Sequence, residues 1–170
     1  YGGMTKGDKT AISEQIAASI KNFSLLAKDD PARQRAGIVM PEFIQKKAEL
    51  ISAHLLLPAG AKVLDMGCET GEVTYVLAQL NPRAEIVGID RDAAAVDFAR
   101  SHYRLPNLSF QEGEVTAEAF DDESVDCIID SNLLHGVYSE AGYDTDEVIR
   151  LLEQQVRKLK KNGTLLVRDH

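Results

Sequence analysis

Asp65, Gly67, Cys68, Glu69 and Gly71 follow directly on the apolar pair Val63-Leu64, and Asp90 closes a second apolar run, Ile86-Val87-Gly88-Ile89. Glycines let backbone approach a ligand closely, and a carboxylate at a strand tip can accept both hydroxyls of a ribose, so these are the parts of a nucleotide site. The residues of the turn narrow the choice of nucleotide. A dinucleotide fingerprint opened by Gly67 requires glycine at 69 and 72, where both residues are glutamate. A phosphate loop requires Lys and then Ser or Thr after Gly71, where Glu72-Val73 stands. Phosphate is held by bare amides at the positive end of a helix. Glu69 and Glu72, with Asp65 close by in sequence, oppose that charge and suit a nucleoside with a positive centre and no phosphate.

S-adenosylmethionine, an adenosine bearing a sulfonium and an amino-acid tail, is such a ligand. Holding it requires strands that end together, and the chain supplies them. Residues 10–28 carry helical periodicity (Ile12, Ile16, Ile20, Phe23, Leu26), stopped at Asp29-Asp30-Pro31. A second helix is predicted from Pro41 to about Leu57, closed by Pro58-Ala59-Gly60. From there strands over 62–66, 85–89, 108–111, 125–131 and 164–168 alternate with helices over 71–80, 92–103 and 144–160. The last of these is opened by Asp144 with Glu147 three residues on. A short turn of helix is placed near 116–120, and the stretch after His135 reads as loop. Such alternation predicts an α/β, doubly wound, mainly parallel sheet with strand order 3-2-1-4-5 and helices on both faces. The ligand then sits at the carboxyl ends of the first and fourth strands, where the winding reverses.

Five stretches, in order, resemble the motifs of the class I (Rossmann-like) S-adenosylmethionine-dependent methyltransferases. Val63 to Gly71 resembles the first, Ile86 to Asp90 the second, and Phe110-Gln111-Glu112-Gly113-Glu114-Val115 the third. Val125 to His135 resembles the fourth strand and the loop after it, and Leu159-Lys160-Lys161-Asn162-Gly163 to Asp169 the turn and fifth strand. The likeness spans roughly residues 60 to 169. It implies that Asp65, Gly67, Cys68, Glu69 and Gly71 hold the amino-acid end of the cofactor, Asp65 through water. It further implies that Asp90, with Arg91 beside it, grips the ribose, that Glu114 and the Val115 amide read the adenine, and that Ser131 lines the site. Three features depart from the family pattern. Glu69 replaces the middle glycine, Glu114 replaces an aspartate, and the chain ends at His170 before the helix and antiparallel sixth and seventh strands that complete the sheet. Residues 59–170 are therefore expected to be a C-terminally truncated core. Its open edge, an association hazard, would be covered by a further domain or by a second copy in a homodimer. Residues 1–58 are expected to form an N-terminal helical lid, and Tyr1-Gly2-Gly3 ahead of Met4 reads as a cloning scar.

On the acceptor side, Ser131, Asn132 and His135 follow the fourth strand. His135 is the candidate general base, with capping of a helix or orientation of the loop as its alternative role. Asn132 is followed by Leu133-Leu134, which excludes the Asn-Pro-Pro-aromatic signature of amino-methyltransferases. Tyr138 and Tyr143 read as packing residues, and His54 and His102 carry no assigned role. The expected function is methyl transfer from S-adenosylmethionine to an O, N or C atom of a small or medium-sized acceptor. The alternative is a non-catalytic module that binds S-adenosylmethionine or S-adenosylhomocysteine, whereas Glu69 and Glu72 argue against a nicotinamide oxidoreductase.

Composition sets the outer limits. The chain has 170 residues, 44% of them apolar, enough for one domain with a sizeable core. With 27 acids against 19 bases its formal charge is −8, a poor match for nucleic acid or an anionic membrane. The basic stretch Arg157-Lys158-Lys160-Lys161 falls in the last turn of a predicted helix, where cations complement the dipole. Cys68 and Cys127 stand alone, with no zinc spacing and no disulfide framework, as suits a cytoplasmic protein. No metal is expected, and no apolar stretch is long enough to span a bilayer.

Overall fold

The computed structural model describes residues 39–169, so the helix expected over 10–28 lies outside the described residues. The elements run α1 (Glu42–Ala53), β1 (Lys62–Met66), α2 (Glu72–Leu80), β2 (Glu85–Asp90), α3 (Ala93–His102), β3 (Leu108–Glu112), β4 (Val125–Ser131), α4 (Leu134–Glu140), α5 (Thr145–Lys158) and β5 (Leu159–Arg168). The five strands form one sheet in the order β3-β2-β1-β4-β5, and every pairing is parallel. Both the sheet order and the class agree with the expectation from sequence.

Register explains why β1 reads as an apolar run ended by Asp65 and Met66. Val63 lies between Ile86 and Cys127, and Met66 between Ile89 and Asp130. A strand flanked on both sides and covered on both faces can expose almost nothing. Successive side chains point to opposite faces. On one face α1, α2 and α3 cover Val63, Ile86, Phe110, Cys127 and Ile129 with Ile51, Tyr75, Leu77, Val96 and Ala99. On the other, Leu64, Met66, Val87, Ile89 and Ile128 pack with Ala117, and with the partly buried Phe120 and Leu133. Asp65 and Asp130, both buried, are the acids that this two-sided burial encloses at the site end of the sheet.

Several local details differ from the sequence reading. α1 stops at Ala53, short of Leu57. His54 and Leu55 tighten into i→i+3 turns on Ile51 and Ser52, which drops Leu55 into the core. Residues 116–120 form two successive turns rather than a helix, because Ala117 takes a left-handed φ of 57°. Where a loop was expected after His135 there is α4, a seven-residue helix with no buried side chain and hence no apolar periodicity to announce it. α5 ends at Lys158 instead of 160, and β5 begins at Leu159 through a register irregularity between Val125 and Cys127. Lys160 therefore lies in the strand, paired with Asp126 at 2.8 Å, while Lys158 pairs with Asp122 at 2.7 Å. Asp144 caps α5 through the Asp146 amide, and Glu147 pairs with Arg150 rather than closing a capping box.

Candidate functional site

The loop 67–71 leaves β1 and enters α2 through three positive-φ residues, Gly67 (69°), Glu69 (50°) and Gly71 (87°). Its amides are sewn to the end of β2. Gly67 and Cys68 donate to the Ile89 carbonyl at 2.8 and 3.0 Å, and Glu69 donates to Asp90 Oδ2 at 2.8 Å. The second oxygen, Oδ1, accepts the Asp92 amide at 2.9 Å, while Asp92 itself caps α3. Each oxygen of Asp90 has thus accepted one N–H and keeps capacity for another donor. Cys68 turns its side chain into the core against Gly88, and burial pushes its thiol far up. Its backbone is what lines the loop. Glu69 is exposed, and Glu72 accepts the Thr70 hydroxyl at 2.7 Å.

Asp65 is buried below the loop and accepts the Thr74 hydroxyl at 2.6 Å. Burial raises its carboxyl to about 6, while the Thr74 hydrogen bond pulls the other way. A carboxyl raised above its unfolded value stabilises the fold most at low pH, and that contribution is lost as pH rises through about 6. Removing the hydroxyl should therefore hurt most where Asp65 is charged. We expect Thr74→Val to cost about 1–3 kcal/mol at pH 8 and clearly less at pH 5 by urea denaturation. Equal losses at the two pH values would refute the pairing of a charged Asp65 with Thr74.

The opposite wall comes from the segments after β3 and β4. Glu112 is the register partner of Asp90, and the Gly113 amide donates to the Asp90 carbonyl at 2.9 Å. These contacts bring the exposed Glu114 and half-buried Val115 to the same end of the sheet. Ser131, the last residue of β4, has a buried hydroxyl with no hydrogen-bond partner among the described residues. Leu133 crosses close to the loop, so that a Cβ on Gly67 would stand 3.1 Å from its Cδ1. Arg91 forms a two-pronged ion pair with Glu140, joining the turn after β2 to α4. Each partner holds the other in its charged form, Arg91 moving up and Glu140 down.

His135, on α4, is gripped at two points by Asp169, the residue after β5. Its amide donates to Oδ2 at 2.8 Å, and its Nδ1 lies 2.7 Å from Oδ1. A carboxylate at Nδ1 fixes the tautomer with the proton there and leaves Nε2 as the acceptor. The ring is otherwise largely exposed, with 58% of the side chain accessible. Tyr138, on the same short helix, meets Tyr143, which follows it, edge to face at 5.3 Å.

The structure thus gathers the sequence-selected residues at the carboxyl end of β1, β2, β3 and β4. It also adds four that sequence reasoning passed over: Thr74, Asp130, Gln155 and Asp169. Asp130 left a trace, an acid just after Cys127-Ile128-Ile129. So did Gln155, a polar residue one helical turn from buried Leu151. Among the described residues, no cluster of His, Cys, Asp and Glu is placed to hold a metal, and no helix is long and apolar enough to cross a membrane. The donor set fits an adenosine with a cationic centre. It offers acids at the loop, a carboxylate with acceptor capacity at the β2 tip, and a Ser131 hydroxyl with no partner among the described residues.

Comparisons with known proteins agree with that chemistry. Residues 57–170 match a family model described as a methyltransferase domain. The trans-aconitate 2-methyltransferase of Deinococcus radiodurans is 46% identical over 55 residues, covering 32% of this chain and 21% of that protein. The phthiotriol/phenolphthiotriol dimycocerosates methyltransferase of Mycobacterium tuberculosis is 32% identical over 105 residues, covering 61% of this chain and 36% of that protein. The chain therefore spans about a third or less of these relatives' length. Among solved structures, a TehB-like SAM-dependent methyltransferase from Corynebacterium glutamicum superposes with a TM-score of 0.55 at 22% identity, over 89% of this chain and 72% of that one. The [4+2]-cyclase SpnF does so with a TM-score of 0.60 at 22% identity, over 72% and 43%. At such identities the structural likeness speaks for the fold alone.

Proposed function

The chain belongs to the class I S-adenosylmethionine-dependent methyltransferases, and from that premise we propose that it moves a methyl group from S-adenosylmethionine to an O, N or C atom of a small or medium-sized acceptor. The observation that carries the reading is Asp90, fixed at the tip of β2 by two backbone amides with a lone pair left on each oxygen. In this reading Asp90 takes the ribose hydroxyls, Glu114 and the Val115 amide face the adenine, and the 67–71 loop with Asp65 receives the amino-acid end. Ser131 lines the acceptor side, and Arg91, through Glu140, braces α4 over it. The bound cofactor supplies an electrophilic methyl on a sulfonium. The protein's contribution is placement, which in well-oriented systems is worth roughly 7–11 kcal/mol.

His135 Nε2 is the proton acceptor in this reading, oriented by Asp169. Its value depends on the acceptor. A hydroxyl must lose a proton as it is methylated, whereas a carboxylate already carries its lone pair. The relatives' names point to both kinds, trans-aconitate and phthiotriol. With a hydroxyl acceptor, His135→Ala should lower kcat about 100-fold, and Asp169→Asn should lower it less. With a carboxylate acceptor both should leave kcat within about threefold. Equal effects on the two classes would assign His135 to structure rather than chemistry.

The whole reading is tested by calorimetric titration with S-adenosylmethionine and S-adenosylhomocysteine, with NAD as the counter-titrant, followed by labelled-methyl transfer to carboxylate and hydroxyl acceptors. Binding with transfer supports it, and binding of NAD alone overturns it. Tight binding with no transfer would favour the second reading, a non-catalytic cofactor-binding module. That reading gains support from Glu69, which stands where the family motif has its middle glycine.

A further inference from the structure

Asp130, next to last in β4, is fully buried, and the proposed reaction gives it no task. Its Oδ1 accepts a hydrogen bond from Gln155 Nε2 at 2.9 Å, and the same nitrogen donates to the Val115 carbonyl, also at 2.9 Å. The other oxygen of each group, Asp130 Oδ2 and Gln155 Oε1, is buried with no hydrogen-bond partner among the described residues. Two acceptors cannot satisfy each other, and a buried acceptor left orphaned keeps its full desolvation penalty. A carboxylic acid, unlike a carboxylate, can donate. One proton on Oδ2 would turn one of the two orphans into a donor, the complement of the acceptor that Gln155 Oε1 offers.

We propose that Asp130, enclosed in the core beside other acids, is held as the neutral acid with its proton on Oδ2 directed to Gln155 Oε1, and that this acid–amide pair is a positioning device which clamps the Val115 carbonyl to β4 and so sets the adenine-side wall of the cofactor site. The functional half of this inference rests on the reading of Val115 given above. The surroundings favour the neutral form. Burial raises the Asp130 carboxyl to about 7 against the Gln155 Nε2 hydrogen bond, which pulls it down, and the charged groups acting on it are both acids, Asp65 from β1 and Asp169 beyond β5. Gln155 reaches it from α5 as a neutral amide. The other polar groups of the adjoining segments, the Thr116 and Ser131 hydroxyls, carry no charge and have no hydrogen-bond partner among the described residues. Ionisation would break the bond to Gln155 Oε1 and leave a charge with no solvent to receive it, loosening the amide that holds Val115.

Three measurements test the pair. Isotope-edited infrared spectra of the wild-type chain should show a protonated-carboxyl C=O band of which one part, persisting above the titration of Asp65 near pH 6, is lost in Asp130→Asn and fades by pH 8.5. Calorimetry with S-adenosylhomocysteine should show wild-type affinity falling about tenfold from pH 6.5 to 8.5. Asp130→Asn, whose amide can donate to Gln155 Oε1 at any pH, should bind with a flat profile across that range. Gln155→Leu, which lacks the clamp, should bind weakly at every pH. An ionised Asp130 at pH 6, or the same pH slope in wild type and Asp130→Asn, overturns the proposal. The infrared titration of the wild type needs no variant to fold. If S-adenosylhomocysteine binds at no pH, the cofactor reading fails, while the infrared band still decides whether the acid–amide pair exists.

Discussion

Asp90→Ala should weaken S-adenosylhomocysteine binding by at least about 100-fold, measured by calorimetry at neutral pH. The size follows from the loss of two charge-assisted hydrogen bonds to the ribose, each worth about 1.5–3 kcal/mol. The same carboxylate accepts the Glu69 and Asp92 amides, so the substitution also unties the 67–71 loop from β2. Those amides lie where water can replace the carboxylate, and the expected stability loss is smaller, about 1–2 kcal/mol. Asp90→Asn separates the two roles. One amide oxygen keeps one backbone partner while the NH2 meets the other N–H, so affinity should fall nearly as far as in Asp90→Ala with about half of its stability loss. An Asp90→Ala protein that binds within about threefold of wild type would remove the ribose assignment, and with it the observation on which the proposed function stands.

Gly71→Ala is expected to be the most damaging single methyl in the described chain. The backbone there sits at φ 87°, and a Cβ would stand 2.7 Å from Phe110 Cε1 and 2.9 Å from the Ala99 Cβ. The left-handed conformation costs an L-residue roughly 1–2 kcal/mol. Forcing a methyl between an aromatic ring and a helix that are already in contact adds about 1–3 kcal/mol. Together the change should destabilise the fold by about 2–5 kcal/mol in urea denaturation. Because Gly71 donates to the Cys68 carbonyl and opens α2, cofactor binding should be lost as well. A second change, Phe110→Leu, makes room and should return part of the steric component but none of the conformational one. A Gly71→Ala variant within about 1 kcal/mol of wild type would show that the loop yields easily, against its close packing.

What the sequence made legible follows from period and punctuation. The strands β2 and β4 are apolar runs ended by an acid or a serine, β1 is one closed by Asp65-Met66, and the glycines 67 and 71 mark a turn where backbone goes left-handed. Both signals are local, and both survive in the fold. α4 was not legible because it buries nothing. It is held by contacts from far along the chain, Arg91 to Glu140 and Asp169 to His135. The start of β5 was obscured because helix-forming residues, Leu159-Lys160-Lys161, are taken over by pairing with β4. Gln155 lies at helical spacing from Leu151 and was passed over as one more polar residue on α5. Only the three-dimensional neighbour, Asp130, shows that it faces inward.

The sheet order has a consequence in time as well as in space. β1 meets β2 after a single helix, but its other edge waits for β4, with Lys62 and Asp126 joined across a separation of 64 residues. Closing a long loop is entropically harder than zipping neighbours, so β1, β2 and β3 can assemble while the β4 side of β1 stays bare. The strand most enclosed in the finished sheet is thus an open edge during folding, and the arrival of β4 seals it at the same moment that it delivers Asp130, Ser131 and the wall opposite the glycine loop.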